Sequence, residues 1–216
     1  MKSEDVAEYL KSHPEFFEQY ADMLAEIHIP HPHGGRTISI SERQIVTLRE
    51  KSKQLETKLR EIIEFGEEND AIGEKIHRLT LALLRARDVA GTLSAVYLSL
   101  REDFAVPHVV LRTWHPAQGG ERPEFETVTT AIRDFSASLA QPYCSPHAMV
   151  ETGALFGETA PHLRSFSYVP LRDGEVFGVL ALASEDPQRF YPDMGTLYLR
   201  RLGELISAGL LARILA

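Results

Sequence analysis

The sequence is short of several things at once, and each shortage closes off a class of answers. Cys144 is its one cysteine, so no intramolecular disulfide forms and a reducing compartment is the natural setting. No apolar run approaches the roughly 20 residues that a membrane-spanning helix needs. The opening MKSEDVAEYL lacks the charged-then-apolar pattern of a leader. Positive charge is in deficit: 23 basic residues stand against 31 acidic ones, a net charge of −8. A globally acidic chain is a poor default binder of nucleic acid or anionic membrane. There is no glycine-rich phosphate loop ending in Gly-Lys-Ser/Thr, no His-Glu-x-x-His and no Gly-x-Ser-x-Gly. No internal repeat is visible. The expectation is a cytoplasmic protein with no catalytic residues to name. Its 216 residues, 44% of them hydrophobic, suffice for one solid domain plus an appendage.

The longest absence is of proline. None occurs between Ser41 and Arg87, where the polar residues are mostly Glu, Lys, Arg and Gln. Ile45, Leu48, Leu55, Leu59 and Ile62 recur at three- and four-residue steps, with Ser52 filling one position of the seam. The seam then runs through Phe65, Asn69, Ile72, Ile76, Leu79 and Leu83. The consecutive three-residue steps 59–62–65 have the form of a stammer in a coiled coil. Asn69 sits where a polar seam residue sets register and strand number. A helix over 41–87 would run about 70 Å, longer than a small domain is wide. So narrow a stripe on so long a helix wants a partner, and a second copy of the chain is the expected one.

Ahead of this helix, residues 3–27 predict two short helices joined near Ser12-His13-Pro14, with Ser3 as the first N-cap and Glu4 and Asp5 in the first turn. Residues 27–36, IHIPHPHGGR, predict a loop. Behind the helix the pattern turns globular. The spacing predicts a helix over 89–104, a strand over 109–114, a loop tip at 115–123, a short strand at 125–128 and a helix over 131–139. Residues 143–157 favour no element. A helix over 194–215 is apolar nearly all round, so it is buried or shared.

Between them lies SFSYVPLRDGEVFGVLALASEDPQRFYPDMG, residues 165–195. Phe166–Leu171 and Val176–Ala183 form two apolar strands joined by Arg172-Asp173-Gly174-Glu175, a tight turn by composition. Val176–Ala183 is apolar on both faces, so both faces are covered. Gly178 in mid-strand marks a bulge or the close approach of another group. This stretch resembles the C-terminal half of a GAF domain, a small-molecule-binding and sensory fold. The resemblance implies a helix layer on one sheet face and a ligand cavity on the other.

A wider resemblance covers nearly the whole chain. VAEYLKSHPEFFEQY, the IPHPHGG loop, SISERQIVTLREK, the Glu67-Glu68-Asn69-Asp70 stretch and the terminal LRSFSYVPL…DPQRFYPDMGTLYLRRLGE are similar to the domain-of-unknown-function family 484. That family implies an N-terminal helical part followed by a GAF-like domain, with no catalytic residues and no known ligand. The expected fold class is α+β: a GAF-like antiparallel sheet flanked by helices, preceded by short helices (1–40) and a long coiled-coil helix (41–87), with the GAF-like domain over 88–216.

Candidate sites follow from residue type and spacing. Arg112 and Trp114 share one strand face. With Cys144 and Ser167 they are the candidate polar lining of a ligand cavity. Cys144 with His147 three residues on has the form of a thiolate–imidazole pair, against the simpler reading of a buried small hydrophobe. His28, His31 and His33 cluster, but among prolines and with no nearby carboxylate except Glu26, so an ordered loop and no metal site is expected. Residues 43–60 carry six basic side chains against Glu50 and Glu56, a local +4 that flanks a coiled coil more readily than it tracks a phosphate backbone. Asp186 and Asp193 have the setting of turn and cap residues. Ile45, Leu48, Leu55, Leu59, Ile62, Asn69, Ile72 and Ile76 are the expected dimerisation residues.

Two functions compete. One is a homodimeric ligand-binding or sensory module, its ligand and any cofactor unknown. The other is a scaffold whose cavity is filled by Phe135, Tyr143, Phe156, Phe166 and Tyr168. Since the sequence stops at its last helix, any output is expected to pass through a partner protein, with Phe16, Phe17 and Tyr20 as the docking surface.

Overall fold

A computed structural model describes residues 2–31, 34–115, 122–192 and 194–215. They form two compact units, 1–67 and 68–216.

The first unit begins with three short helices, α1 (Ser3–Ser12), α2 (Glu15–Gln19) and α3 (Ala21–Glu26). The first cap lies one residue earlier than expected. The Lys2 backbone N–H donates to the Asp5 carboxylate at 2.8 Å, so Lys2 is the N-cap. Pro14 separates α1 from α2, as a residue that cannot continue a helix should. A further break at Tyr20 (φ −115°) divides the second expected helix into two. Residues 27–36 are not the loop the composition suggests. They contribute to a small antiparallel pair, β1 (His28–His31) with β2 (Gly34–Ser39), in which Ile29 lies opposite Ile38. Pro30 is compatible with this pair because both strands of a two-stranded sheet are edges, where a missing N–H leaves no central ladder broken. α4 (Ile40–Arg85) follows, and the unit boundary falls inside it.

The second unit starts on the last part of α4. α5 (Val89–Leu98) is capped by Asp88, whose carboxylate accepts from Gly91 N–H at 2.7 Å, and runs on into a π-helical turn at Ser99–Asp103. Then come β3 (His108–Thr113), a 3-10 turn (Pro123–Phe125), α6 (Thr130–Ser138), β4 (Tyr143–Ser145), a 3-10 stretch (Val150–His162) interrupted at Gly157, β5 (Ser165–Asp173), β6 (Glu175–Ser184) and α7 (Leu197–Ile214). The expected strand at 125–128 is absent: Pro123 opens a turn of 3-10 helix that packs beside β3, at the sheet's edge.

The sheet is antiparallel throughout, in the order β3-β6-β5-β4. The β5–β6 hairpin turns at Gly174, whose φ of 71° lies in the left-handed region that glycine adopts without penalty. Helix, sheet and helix make three layers with two cores. On one face Leu111, Val169, Leu171, Leu180 and Leu182 pack with Leu79 and Leu83 of α4, Leu93 and Val96 of α5, and Leu202, Ile206 and Leu210 of α7. On the other, Phe166, Tyr168, Val179, Ala181 and Ala183 pack with Val128, Ile132, Phe156 and Leu163. The fold is therefore α+β, with both faces of β6 covered as its unbroken apolar run requires. Leu79 and Leu83, seam positions by spacing, belong to this core, and Ile76 packs against it, which is why the compact units part within α4 and not at its end.

Gly178 meets the second alternative its position suggested. A Cβ there would lie 2.8 Å from the Arg112 carbonyl oxygen and 3.2 Å from Leu171 Cδ1. The first neighbour is backbone of the paired strand and cannot swing aside. Gly178→Ala is expected to destabilise the second unit by about 1–3 kcal/mol through overpacking, read as a lower urea midpoint with an unchanged slope.

Candidate functional site

Strand alternation and register decide which of the candidate lining residues share a face. Arg112 pairs with Val179, and Val179 with Pro170, so Arg112 and Trp114 belong to the face of Phe166 and Tyr168. Cys144 pairs with Ser167, and Ser167 with Leu182, which places both on the opposite face, under the helices. The four residues do not meet. The sheet separates them two and two, a parity that is invisible until the pairing is known.

The face that carries Arg112 and Trp114 is the one on which the GAF resemblance places a ligand cavity. Here it is filled by side chains. α6 lies over β5 and β6 and beside the 3-10 stretch, and it begins at Thr129, whose hydroxyl accepts from Ile132 N–H at 3.4 Å. Phe135 meets Tyr168 edge-on at 5.3 Å, and Phe156 meets Phe166 at 5.9 Å. Tyr168 is 0% exposed, and Ser136 and Thr152 are equally closed off.

The polar groups of this layer are spent on one another. Met149 N–H donates to Tyr168 Oη at 3.1 Å. Tyr168 Oη and Thr152 Oγ1 lie 2.7 Å apart, and Thr152 Oγ1 also bonds the Met149 carbonyl. Each hydroxyl has a single proton, so one arrangement satisfies all three contacts: Tyr168 donates to Thr152, and Thr152 donates to Met149. Burial pushes the Tyr168 phenol up, offset in part by its bonds to Thr152 and Met149. The sequence carried no signal for this ring, since 143–157 has neither helical nor strand period.

Arg112 and Trp114 lie at the rim. Trp114 Nε1 donates to the Val176 carbonyl at 3.0 Å, and the Arg133 guanidinium stands 5.8 Å from the indole centroid. Arg112 donates to the Leu111 carbonyl at 3.1 Å and pairs with Glu126 at 3.6 Å. Beside them Tyr97 of α5 is pushed up to about 12, first by burial and then by the Glu124 carboxylate, with the Leu111 backbone and Arg112 opposing. These groups close the β3 edge.

On the helix side, Cys144 is buried. Burial pushes its thiol up, so it is not poised as a thiolate nucleophile. The Ser167 hydroxyl beside it offsets a little of that desolvation, but it is not in full bonding geometry with the sulfur and has no other partner among the described residues.

Cavities of some size lie elsewhere in the second unit. One of about 140 Å³ is lined by Pro142, Val169, Arg172, Arg200, Gly203 and Ser207. A groove of about 630 Å³ runs between the end of α4 and α5, past Arg78, Leu81, Ala82, Ser94, Leu98 and Asp103.

The remaining candidates are placed as follows. Leu48, Leu55, Leu59 and Ile62 are 58–70% exposed, and Ile45 is also exposed. Asn69 accepts a hydrogen bond from Tyr198 Oη of α7 at 3.1 Å. Ile72 and Ile76 are half-buried, Ile76 against its own core. Phe16 stacks on Tyr20 at 4.8 Å, and Phe17 meets it edge-on. Asp186 accepts from Gln188 N–H at 2.9 Å, the Asx turn its context suggested. Asp193, His33 and the side chains of His28 and His31 lie outside the described residues. Among the described residues no group of three or more His, Cys, Asp or Glu is placed to hold a metal, and no helix is long and apolar enough to cross a membrane.

Comparison with known proteins places the chain in a family. The model described as "Protein of unknown function, DUF484" matches residues 1–214, and the chain belongs to that family. It is similar to the uncharacterized protein YigA of Salmonella typhimurium, 24% identical over 208 residues, covering 93% of this chain and 87% of that protein. A solved structure, the GAF domain of the potassium sensor histidine kinase KdpD from Escherichia coli, superposes with a TM-score of 0.43 at 16% identity, over 65% of this chain and 93% of that one.

Two expectations come from this geometry. Tyr168→Phe removes the centre of the buried ring, leaves the Met149 N–H without a partner and leaves Thr152 with only its bond to the Met149 carbonyl, so a loss of about 1–3 kcal/mol is expected in urea unfolding. Thr152→Val should then cost far less in the Tyr168→Phe background than alone. For Tyr97 the folded state holds the proton more tightly than the unfolded chain, whose phenol ionises near 10. Its contribution is complete below pH 10 and is lost as pH rises towards about 12. Tyr97→Phe should flatten the alkaline limb of a stability–pH curve over that window.

Proposed function

We propose that this member of the DUF484 family is a homodimeric, non-enzymatic protein-interaction module whose GAF-like domain holds its own side chains where a sensor would hold a ligand. One observation carries the reading: the sheet face opposite α4, α5 and α7 is packed with Phe135, Phe156, Phe166 and Tyr168, and the hydroxyls there close on one another around Tyr168. A ligand pocket needs apolar walls with a few polar groups left to orient the guest. In this layer Tyr168 and Thr152 are already engaged. The buried, proton-retaining Cys144 argues in the same direction against thiol chemistry.

Work by such a module is done on its outer surfaces. The first half of α4 presents an apolar seam, interrupted at Ser52, to solvent, and burying each of its large side chains against a partner is worth about 1.5–3 kcal/mol. That supports a homodimer held along α4. Phe17 and Tyr20, both exposed, form with Phe16 an aromatic cluster suited to docking a partner protein. The output would pass through that surface.

Mass spectrometry of gently purified full-length chain, native and then denatured, tests both parts. A dimer of bare chains is expected. A dimer that releases a stoichiometric small molecule on denaturation would overturn the filled-module reading in favour of a sensor. Leu55→Glu with Leu59→Glu should convert dimer to monomer in sedimentation runs while the circular dichroism of the domain holds. Retention of the dimer would remove α4 as the interface.

A further inference from the structure

The seam of α4 is close to a palindrome. Taken about a point between Arg60 and Glu61, Leu59 mirrors Ile62, Leu55 mirrors Phe65, Ser52 mirrors Asn69, Leu48 mirrors Ile72 and Ile45 mirrors Ile76, each to within a residue. The two polar positions of the stripe fall opposite each other, and every apolar position from Ile45 to Ile76 falls opposite an apolar one to within a residue. The doubled three-residue step 59–62–65, a defect for a long parallel coil, lies at this centre.

Charge follows the same mirror with opposite sign. Residues 43–60 carry six basic and two acidic side chains, a net +4. Their mirror image, residues 61–78, carries six acidic and two basic, a net −4. A parallel, in-register pair of helices would lay +4 beside +4 and −4 beside −4. An antiparallel pair lays each basic half along an acidic half, with Lys51, just before Ser52, on the same flank of the seam as the partner's Glu68, just before Asn69. Long-range charge of this kind selects orientation more than it adds affinity.

We infer that two copies of the chain associate through α4 in antiparallel orientation, with the two-fold axis passing beside Arg60 and Glu61. The inference rests on the homodimer proposed above and adds its geometry. The occupant of the exposed stripe is a second copy because the stripe is complementary to itself in both hydrophobicity and charge. In the single chain Leu48, Leu55, Leu59, Ile62 and Phe65 are each more than half exposed. Asn69 uses its carbonyl oxygen to accept from Tyr198, which leaves its amide NH₂ to donate to the partner's Ser52. Ile76 is half covered by its own core and keeps a flank for the partner's Ile45.

Distance decides the orientation. A spin label on Thr47→Cys in a Cys144→Ala background sits 27 residues from its mirror position, so antiparallel pairing predicts about 40 Å between labels. Pulsed dipolar spectroscopy at about 40 Å supports the inference. A distance under about 20 Å means parallel helices and overturns it, leaving the homodimer standing. A monomer by sedimentation with no dipolar signal overturns both. Charge reversal provides a test with Cys144 intact. Lys51→Glu is expected to weaken dimerisation about tenfold, and Glu68→Lys in the same chain to restore it. Failure of the second change to rescue the first would sink the antiparallel arrangement, since in a parallel pair position 51 lies by Glu56 and not by Glu68.

Discussion

The structure depends on one constraint: β6 has no polar face. From Val176 to Ala183 every residue is apolar or glycine, so each side of the sheet has to be shielded from water. The helices α4, α5 and α7 shield one side, and α6 with the 3-10 stretch shields the other. Central placement in the order β3-β6-β5-β4 follows, because a strand this apolar cannot lie at an edge without exposing its ladder to other chains. The edges fall instead to β3, which the 3-10 turn at Pro123–Phe125 flanks, and to the three-residue β4. Gly178 belongs to the same constraint: the β3 backbone comes so close that a methyl group would collide with the Arg112 carbonyl.

Much of this was legible in the sequence because it is local. Alternation, turn chemistry and helical period place β3, β5, β6, α4, α6 and α7 to within a few residues, and an Asp-Gly turn with Gly174 at positive φ is a local event. What was not legible depends on pairing. The division of Arg112 and Trp114 from Cys144 and Ser167 needs the register of four strands, and period-two reasoning on each strand alone cannot supply it. The ring of Met149, Thr152 and Tyr168 joins residues up to 19 apart, through a stretch with no regular period. The β1–β2 pair was hidden by proline and glycine, whose composition signals a loop and whose chemistry an isolated two-stranded sheet tolerates.

α4 shows how one periodicity serves two environments. Its stripe runs from Ile45 to Leu83, interrupted by the polar Ser52 and Asn69, yet Leu79 is 0% exposed in the core of its own domain while Leu55 is 70% exposed. Spacing reports that a face is apolar and says nothing of what covers it. Charge adds what spacing lacks. In sequence, the acidic stretch comes just before the part of the helix that enters the domain core, and the basic stretch precedes the acidic one. The two halves are matched in length and opposite in sign.

These properties bear jointly on function. A sensor of the GAF kind requires an interior that stays partly open, at a cost in packing, and a cover that moves when a guest arrives. In this chain the sheet face under α6 carries stacked and edge-on aromatics and a self-satisfied hydroxyl ring, an arrangement that favours one packing and resists a second. On the proposed reading, a rigid centre with an exposed apolar, charge-patterned helix serves assembly and not capture. Whatever passes through such a protein would do so by which copies and partners it brings together, and the orientation of α4 against its mate would then fix which surfaces face each other.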